Sequence, residues 1–594
     1  MNDVFESAPR RFARLVDSGS GRRAIHWLIF LLFAATMAVL HARGTFQGLR
    51  DPRAMEEAQL ARSVARGEGL ATRCLRPLAL WRLGGATNAP AAPVVPGPQP
   101  DLLHPPAWPA ALSLVLKATG GLSPHSAPTL VDPADFWPLA AAHLFAALSV
   151  LWVWLIARRL FDARTGTLSA VSYLLCGAVW NRSAAADDFS CALFFALGAV
   201  YFALCAADPR RGGAPWPDLA PVPLHRWLPP LALSAAFTAL AFLSRHAAGA
   251  SAATAVAVYL ATARHRPRAW GKALLYLLLA ALPVIPWVLR NIGVCGAPFG
   301  LVPLTALSGT YLFPGDALPR SLSPTLPDAA TALYALQLKT LSALRAAAGS
   351  TAAGFAAAGP LLALAVAALF HPFRRHSSAR LRWSLLAGAA VAVVSAAVFE
   401  PKPSAAGTAA APGTAAALFI PLALPYGWAF FLILLDRLRT PSRLLAGAAT
   451  GLLLLASAWS FLLAVVPPRT GLPYPPYYHA YVDWACGRLP AGGTIATDIP
   501  WATAWYGDVP SLLLPADTAD FSEIDRTLFR LPLVYLTTET RDRPWHSALS
   551  APEAPDRSWY RLMSDGRVPA DFPLQHARFI GGTDQLLLSS LPLD

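Results

Sequence analysis

The feature that most constrains this chain is an alternation. About eleven apolar stretches of roughly membrane-spanning length are separated by connections that are by turns arginine-rich and acidic. A hydrocarbon layer about 30 Å thick takes about 20 apolar residues per helix, and runs of that order recur from Ala24 to Val466. The candidate spans are 24–41, 135–156, 165–181, 187–206, 228–244, 247–263, 272–290, 352–371, 383–399, 414–435 and 443–466. With 55% apolar and only 14% charged residues, and a mean hydropathy of +0.44, the chain is not composed like a soluble globular protein. The expected class is an all-α polytopic membrane protein.

Charge sets the expected orientation. With the N-terminus in the cytoplasm, Arg158/Arg159/Arg164, Arg210/Arg211, Arg264/Arg266/Arg268/Lys272, Arg374/Arg375/Arg380/Arg382 and Arg437/Arg439/Arg443 all fall on the cytoplasmic side, as the positive-inside rule requires. The formal charge of +14 is thus spent in short blocks between apolar runs. That pattern speaks for lipid headgroups and orientation, and against nucleic acid, which calls for one continuous basic face. Basic Arg10, Arg11, Arg14, Arg22 and Arg23 precede the apolar run Ala24–Leu40, and no A-x-A cleavage site follows, so an uncleaved first span is expected. The six cysteines form no CxxC pair, which gives no sign of a redox or metal-thiolate centre.

The opposite face receives a long first loop (42–134), a shorter one (291–351) and a tail from Pro467. In the tail helix-period apolar runs stop, and short strand-like pieces around Thr494–Thr497 and Leu533–Thr537 alternate with Pro, Gly and Asp turns. The expected organisation is a transmembrane domain, 1–466, followed by a small extracytoplasmic α/β domain, 467–594. Leu80 to Pro100, rich in Pro, Gly and Ala, reads as an irregular connector within the first loop.

The acids gather on the same face. In the first loop, Asp51-Pro-Arg-Ala-Met-Glu-Glu opens a short amphipathic helix; laid on the membrane surface, it would hold Asp51, Glu56 and Glu57 beside the headgroups. Carboxylates so placed can take a proton from an acceptor hydroxyl while a phosphate leaves; they are equally at home as solvated acids favoured by the helix dipole. Asp187 and Asp188 open the next outward-facing helix, as caps or as a pair able to assist the chemistry or hold a divalent cation. His104, fixed by Pro105 and Pro106, can sit against a headgroup phosphate. Arg290, after Pro286-Trp287, lies at the end of a span and suits a bidentate phosphate contact or plain snorkelling. Arg245-His246 is a second such position.

In their order these pieces resemble the integral-membrane glycosyltransferases of the GT-C type, in particular glycosyltransferase family 39, the relatives of protein mannosyltransferases and lipid A aminoarabinose transferases. The resemblance runs over nearly the whole chain. It rests on the acidic first-loop motif with Ala58, Ala61, Arg62, Gly67 and Gly69, then on His104-Pro-Pro106, Arg158-Arg-Leu-Phe161 and Asp188. Its most specific part is Pro286-Trp-x-x-Arg-Asn with the following Gly-x-Pro-Phe up to Phe299. The acid pair usual in the family falls here on Arg53 and Ala54, and its Arg-Tyr near the tenth span is replaced by Ala417-Leu418. In the tail, Thr497-Asp498-Ile-Pro500-Trp501 and Ala504-Trp505-Tyr506-Gly507-Asp508 look like a segment of some such enzymes, where aromatics beside acids stack on sugars or simply form the core.

The resemblance implies a bacterial inner-membrane enzyme that moves a sugar from a polyprenyl-phosphate donor to a lipid, glycan or protein hydroxyl on the outer face, usually with inversion. Glu56 or Asp51 would serve as base, with Glu57 and Asp188 beside them, and Arg290, His104, Arg62 and Arg245 would hold the donor phosphate. Two other functions compete. A transporter or flippase of lipid-linked or small solutes would carry its ionisable residues near the bilayer midplane, whereas the spans here are almost free of charge. A non-catalytic scaffold would explain the tail but not the gathering of acids and arginines on one rim.

Overall fold

The computed structural model describes residues 19–84, 97–121, 131–207, 224–262, 266–373, 376–399, 414–438, 443–466, 478–542, 559, 568, 572–580 and 584–593. Eight described helices are long and apolar enough to cross a membrane: Trp27–Thr45, Pro133–Leu160, Phe189–Ala207, Leu224–Ser244, Ala269–Cys295, Leu381–Phe399, Leu418–Arg437 and Arg443–Val465. The other three expected spans are shorter or broken, each for a local reason. Over 165–181, Cys176 takes an extended conformation and splits the run into Ala163–Leu174 and Gly177–Ser183. Over 247–263, a tight 3-10 turn at His246–Ala250 precedes a helix of only 12 residues, Ser251–Thr262. Over 352–371, Gly359 at φ 68° interrupts the helix before Pro360–Leu369, a backbone state that costs glycine little and whose following proline cannot donate back into the preceding turn.

The bundle is packed on Trp152, Tyr173, Trp180, Tyr426 and Trp428, all buried. Its outer faces carry exposed Leu28, Ile29, Leu32, Trp270, Leu274, Leu278, Leu445, Leu452 and Leu455. A continuous apolar exterior of this kind is what a bilayer covers.

The first loop folds into the helix α1 (Pro52–Ala65), the short strands β1 (Ala71–Thr72), β2 (Cys74–Leu75) and β3 (Gln99–Pro100), and the helix α2 (Ala107–Thr119). Between β2 and β3, a helix at Pro77–Leu83 begins the stretch read as a connector; residues 85–96 of that stretch lie outside the described residues. Asp51 caps α1 by accepting the Arg53 amide, and Pro52 occupies its first turn, both regular helix-start signals. The expectation that α1 lies on the membrane surface is not met. Every residue from Ala54 to Ser63 is buried, because α2 covers one side of the helix and the tail covers another. Amphipathic spacing identifies one apolar face, and a helix enclosed by two layers buries its polar face as well.

The tail forms the α/β unit expected from its composition, yet its sheet draws on both ends of the chain. The strand order is β2-β5-β4-β6-β8-β7, with β4 at Ile495–Thr497, β5 at Ser511–Leu513, β6 at Leu533–Leu536, β7 at His576–Phe579 and β8 at Leu586–Ser589. The first-loop strand β2 is the parallel edge, pairing Cys74 with Ser511 and Leu75 with Leu512. A buried sheet edge must find partners for its amides, and the Ser511 amide donates to the Arg73 carbonyl at 2.8 Å. Asp498, at the end of β4, accepts the amides and hydroxyls of Thr537 and Thr540 at 2.7 to 3.0 Å, so it ties strand ends together inside the domain.

Candidate active site

Adjacent acids of α1 enter two different charge networks. Glu56 is bound by the Arg76 guanidinium, whose Nη2 lies 2.5 and 2.6 Å from its two oxygens. His104 stands 3.1 Å from Glu56 on one ring nitrogen and 3.1 Å from Asp101 on the other. Asp101 also accepts the amides of Leu103 and His104 at 3.1 and 2.7 Å, a local turn that fixes the His-Pro-Pro segment. Burial alone would raise the Glu56 carboxyl, but Arg76 and His104 overcome it and hold Glu56 far below the usual carboxylate range. Burial would likewise strip the His104 proton; Asp101 and Glu56 reverse that and push the imidazole up to about 10. Asp101 is lowered against burial by the same histidine. Two carboxylates thus face two cations, and the network is closed.

The second network is not balanced. Glu57 accepts from Arg53 Nε at 2.9 Å and from the Asp188 amide at 3.0 Å. Arg53 also reaches Asp188 at 2.5 Å. Arg245 bridges Asp187, at 2.9 Å, and Asp188, and Arg182 pairs with Asp187. These aspartates lead into the helix Phe189–Ala207 from a strained start, with Ala186 at φ 59°, a backbone state that costs a residue with a Cβ and tends to occur at functional sites. Asp51 joins the group electrostatically: burial and Asp187 raise its carboxyl, against Arg182. Burial and Asp188 push Glu57 well above the usual range, against Arg53. Asp187 is lowered, Arg182 and Arg245 outweighing its burial. Asp51, Glu57, Asp187 and Asp188 outnumber Arg53, Arg182 and Arg245 by one, and an excess of negative charge in a dry cluster raises the proton affinity of its carboxylates. Asp51 is the half-buried member, and through Oδ1 it accepts the Arg53 amide at 2.9 Å.

Arg290 reaches the first network from the helix α3 (Ile285–Cys295). Its Nη1 donates to the Asp101 carbonyl and, at 2.9 Å, to Asn291; its Nη2 donates to the Leu70 carbonyl at 3.0 Å. Among the described residues no carboxylate forms an ion pair with it. The turn that follows makes this docking possible. Gly300 sits at φ 56°, where a Cβ would lie 2.3 Å from the Leu102 carbonyl oxygen, and the next amide, of Leu301, donates to that same oxygen at 2.9 Å. Only a glycine allows α3 to approach the Asp101–His104 segment this closely.

The structure therefore brings Glu56, His104 and Arg290 together, and Asp51, Glu57, Asp187, Asp188 and Arg245 together beside them. Arg62 goes elsewhere: its guanidinium stacks 3.9 Å over the Trp505 ring and donates to the Trp505 carbonyl at 2.7 Å. Nor does the Asp187–Asp188 pair suit a divalent cation. Three of its oxygens are taken by guanidiniums and the fourth, Asp187 Oδ1, accepts the Phe189 amide at 3.2 Å, and no group of three or more His, Cys, Asp or Glu side chains among the described residues has a metal-binding arrangement. The tail aromatics are core and interface rather than an open stacking surface. The helix α4 (Pro500–Tyr506) is buried throughout, and Trp505 and Tyr506 both donate to Asp135 at the head of the second span, at 2.8 and 2.9 Å. Arg53, Arg76, Asp101 and Arg182 were not singled out in the sequence. The Asp-x-x-His spacing of Asp101 and His104 is a usable signal; Arg76, 20 residues beyond Glu56, carries none.

No family model and no curated protein sequence matches the chain. Solved structures do. ArnT from Cupriavidus metallidurans bound to undecaprenyl phosphate matches with a TM-score of 0.56 at 12% identity, over 96% of this chain and 98% of that one. The archaeal oligosaccharyltransferase AglB from Archaeoglobus fulgidus, in complex with an inhibitory peptide and a dolichol-phosphate, matches with a TM-score of 0.55 at 12% identity, over 88% of this chain and 70% of that one. At this identity the likeness establishes a shared fold, a polytopic helical membrane protein with a small α/β domain, as expected from the sequence.

Proposed function

We propose that the protein is a membrane glycosyltransferase that moves a sugar from a polyprenyl-phosphate donor to a hydroxyl of a lipid, glycan or protein acceptor. The observation that carries the reading is the pairing of the two networks on consecutive residues of α1. One holds a surplus carboxyl; the other, itself closed, is met by Arg290, which forms no ion pair with a carboxylate among the described residues, and those are the two charges an inverting transfer from a phosphate needs. The neighbours add to this: ArnT was solved with undecaprenyl phosphate and AglB with dolichol-phosphate.

Asp51 fits the base best. Its carboxyl is half-buried at the open end of α1, a few residues beyond the first span, and its proton affinity is raised toward that of a working base. The acceptor hydroxyl passes its proton to Asp51 as its oxygen bonds to the anomeric carbon, and the bond from that carbon to the donor phosphate breaks on the opposite side. Arg290 receives the departing phosphate charge, being ion-paired to no carboxylate among the described residues. Glu57 and Asp188 hold the cluster that raises Asp51. Glu56 and His104, locked in mutual ion pairs, keep the Asp101 segment and hence Arg290 in place. By the positive-inside pattern the site faces the outer side of a bacterial plasma membrane, with the N-terminus cytoplasmic and the tail outside.

Transfer of radiolabel from a panel of polyprenyl-phosphate sugars to endogenous lipid and protein tests the reading, in membranes holding wild type or Asp51→Asn. Label moved by the wild type and not by the variant is the expected result. A folded wild type that moves no label from any donor overturns it.

A further inference from the structure

The tail domain packs α4 against the back of α1, and the charged part of that contact gathers at one residue. Asp508 lies just past α4 at φ 53°; with Ala186 it is one of two non-glycine residues at positive φ among the described residues. Its carboxylate meets three guanidiniums of the first loop: Arg66 at 2.8 Å, Arg73 at 3.4 Å and Arg62 at 3.7 Å. Arg62 is only 1% exposed, and apart from Asp508 it has the Trp505 ring and carbonyl, which belong to the same tail helix. Arg73 is shared with Glu68, at 3.0 and 3.1 Å, and directly precedes the strand that the tail takes into its sheet. The two halves of the contact converge on the site: Arg62 and Arg66 lie at the end of the helix that Asp51 caps, and β2 is followed directly by Arg76, the partner of Glu56.

Resting on the transferase reading above, we propose that Asp508 is a positioning residue for transfer, acting through Arg62, Arg66 and Arg73 to fix the tilt of α1 and the setting of Arg76. A helix of 14 residues is about 21 Å long, so a tilt of only about 3° at its anchored end carries the far end through about 1 Å. A misplacement of that size costs up to about 100-fold in rate when the displaced group takes part in the reaction. The tail is then part of the catalytic machinery without touching a substrate, and a strained backbone at Asp508 is the means by which its carboxylate is aimed between the three arginines.

The variant Asp508→Asn isolates the charge, since asparagine accepts the left-handed backbone as readily as aspartate does. Two measurements read it. The first is amide hydrogen exchange of the purified full chain in detergent, which needs no donor. Residues 52–66 and 71–76 are expected to exchange faster by about 10-fold or more in the variant, with the membrane spans unchanged. The second is steady-state transfer from a labelled polyprenyl-phosphate sugar, where kcat is expected to fall by about 10- to 100-fold with the donor KM within about twofold. Arg66→Gln combined with Asp508→Asn is expected to be no slower than Asp508→Asn alone, as for residues acting through one contact. Unchanged exchange in those segments overturns the proposal. So does faster exchange with undiminished kcat, which would leave Asp508 a purely structural clasp. A wild type inactive with every donor brings down the transferase reading instead, and exchange alone then upholds or overturns the coupling of Asp508 to α1.

Discussion

Glu56 and Glu57 are neighbours in sequence, in helix and in burial, and they differ in what surrounds them. Around Glu56, Arg76 and His104 answer Glu56 and Asp101 charge for charge. Around Glu57, four carboxyls share three guanidiniums. The first arrangement drives its acid far below the usual range and its histidine up; the second drives Glu57 and Asp51 up. Burial is common to both, so the count of partners decides which acid can take a proton. A closed network builds structure, and an unbalanced one has proton affinity to use.

Substitution should separate the two most sharply. Asp51→Asn removes the half-buried carboxyl of the unbalanced network and is expected to lower transfer by about 10²- to 10⁴-fold, the range for loss of a general base, with expression and melting temperature near wild type. Glu56→Gln should act the other way round. It leaves Arg76 and His104 buried without their shared carboxylate, a kind of loss worth about 3–5 kcal/mol of stability, read as a lower melting temperature in detergent. Should Glu56→Gln melt like wild type yet transfer nothing, the assignments exchange places and Glu56 becomes the base.

Much of this was legible in the chain, and the illegible part has a physical reason. Span lengths and arginine blocks placed the acids on one face, and eight helices of spanning length answer to eight of the expected spans. The breaks at Cys176 and Gly359 are single-residue conformations that an average over an apolar run does not register. The candidate acids lie near one another in the fold, but their division between two networks depends on Arg53 and Arg76, whose side chains lie beside partners that only tertiary folding brings near. The resemblance assigns Arg62, within the Ala58-x-x-Ala61-Arg62 stretch of α1, to the donor phosphate, and it turns instead to Trp505 and Asp508 because the tail packs there, more than 400 residues along the chain.

The pH dependence of stability offers a finer contrast. His104 is raised from 6.5 to about 10 in the folded protein. Its contribution is therefore complete below about pH 6.5, where the unfolded histidine is protonated too, and is lost as pH rises through about 10. Glu56, lowered from 4.5, contributes above that value and loses its contribution as pH falls toward its folded pKa. The closed network thus has limits on both the alkaline and acid sides. The melting temperature of the solubilised protein should drop between pH 7 and pH 10, and His104→Gln, less stable at neutral pH, should show a flatter profile over that interval. An equally steep profile in the variant would assign the alkaline loss to other groups.

Cys74 gives the smallest effect and the most direct check on calling the Glu56 network structural. Its thiol lies 3.6 Å from Glu56 Oε1, buried, and burial followed by the Glu56 charge keeps it protonated well above its ordinary value. Cys74→Ser preserves a small donor toward Glu56, so stability should change by less than about 1 kcal/mol, and transfer should be unchanged. A neutral donor matters little to a carboxylate that already holds a guanidinium and an imidazolium. It would matter a great deal to a carboxylate whose proton affinity drives a reaction, because strengthening or weakening one hydrogen bond shifts that affinity directly. A Cys74→Ser protein with intact melting and a displaced pH–rate profile would therefore mark Glu56 as reactive, while an unmoved profile leaves the chemistry with Asp51.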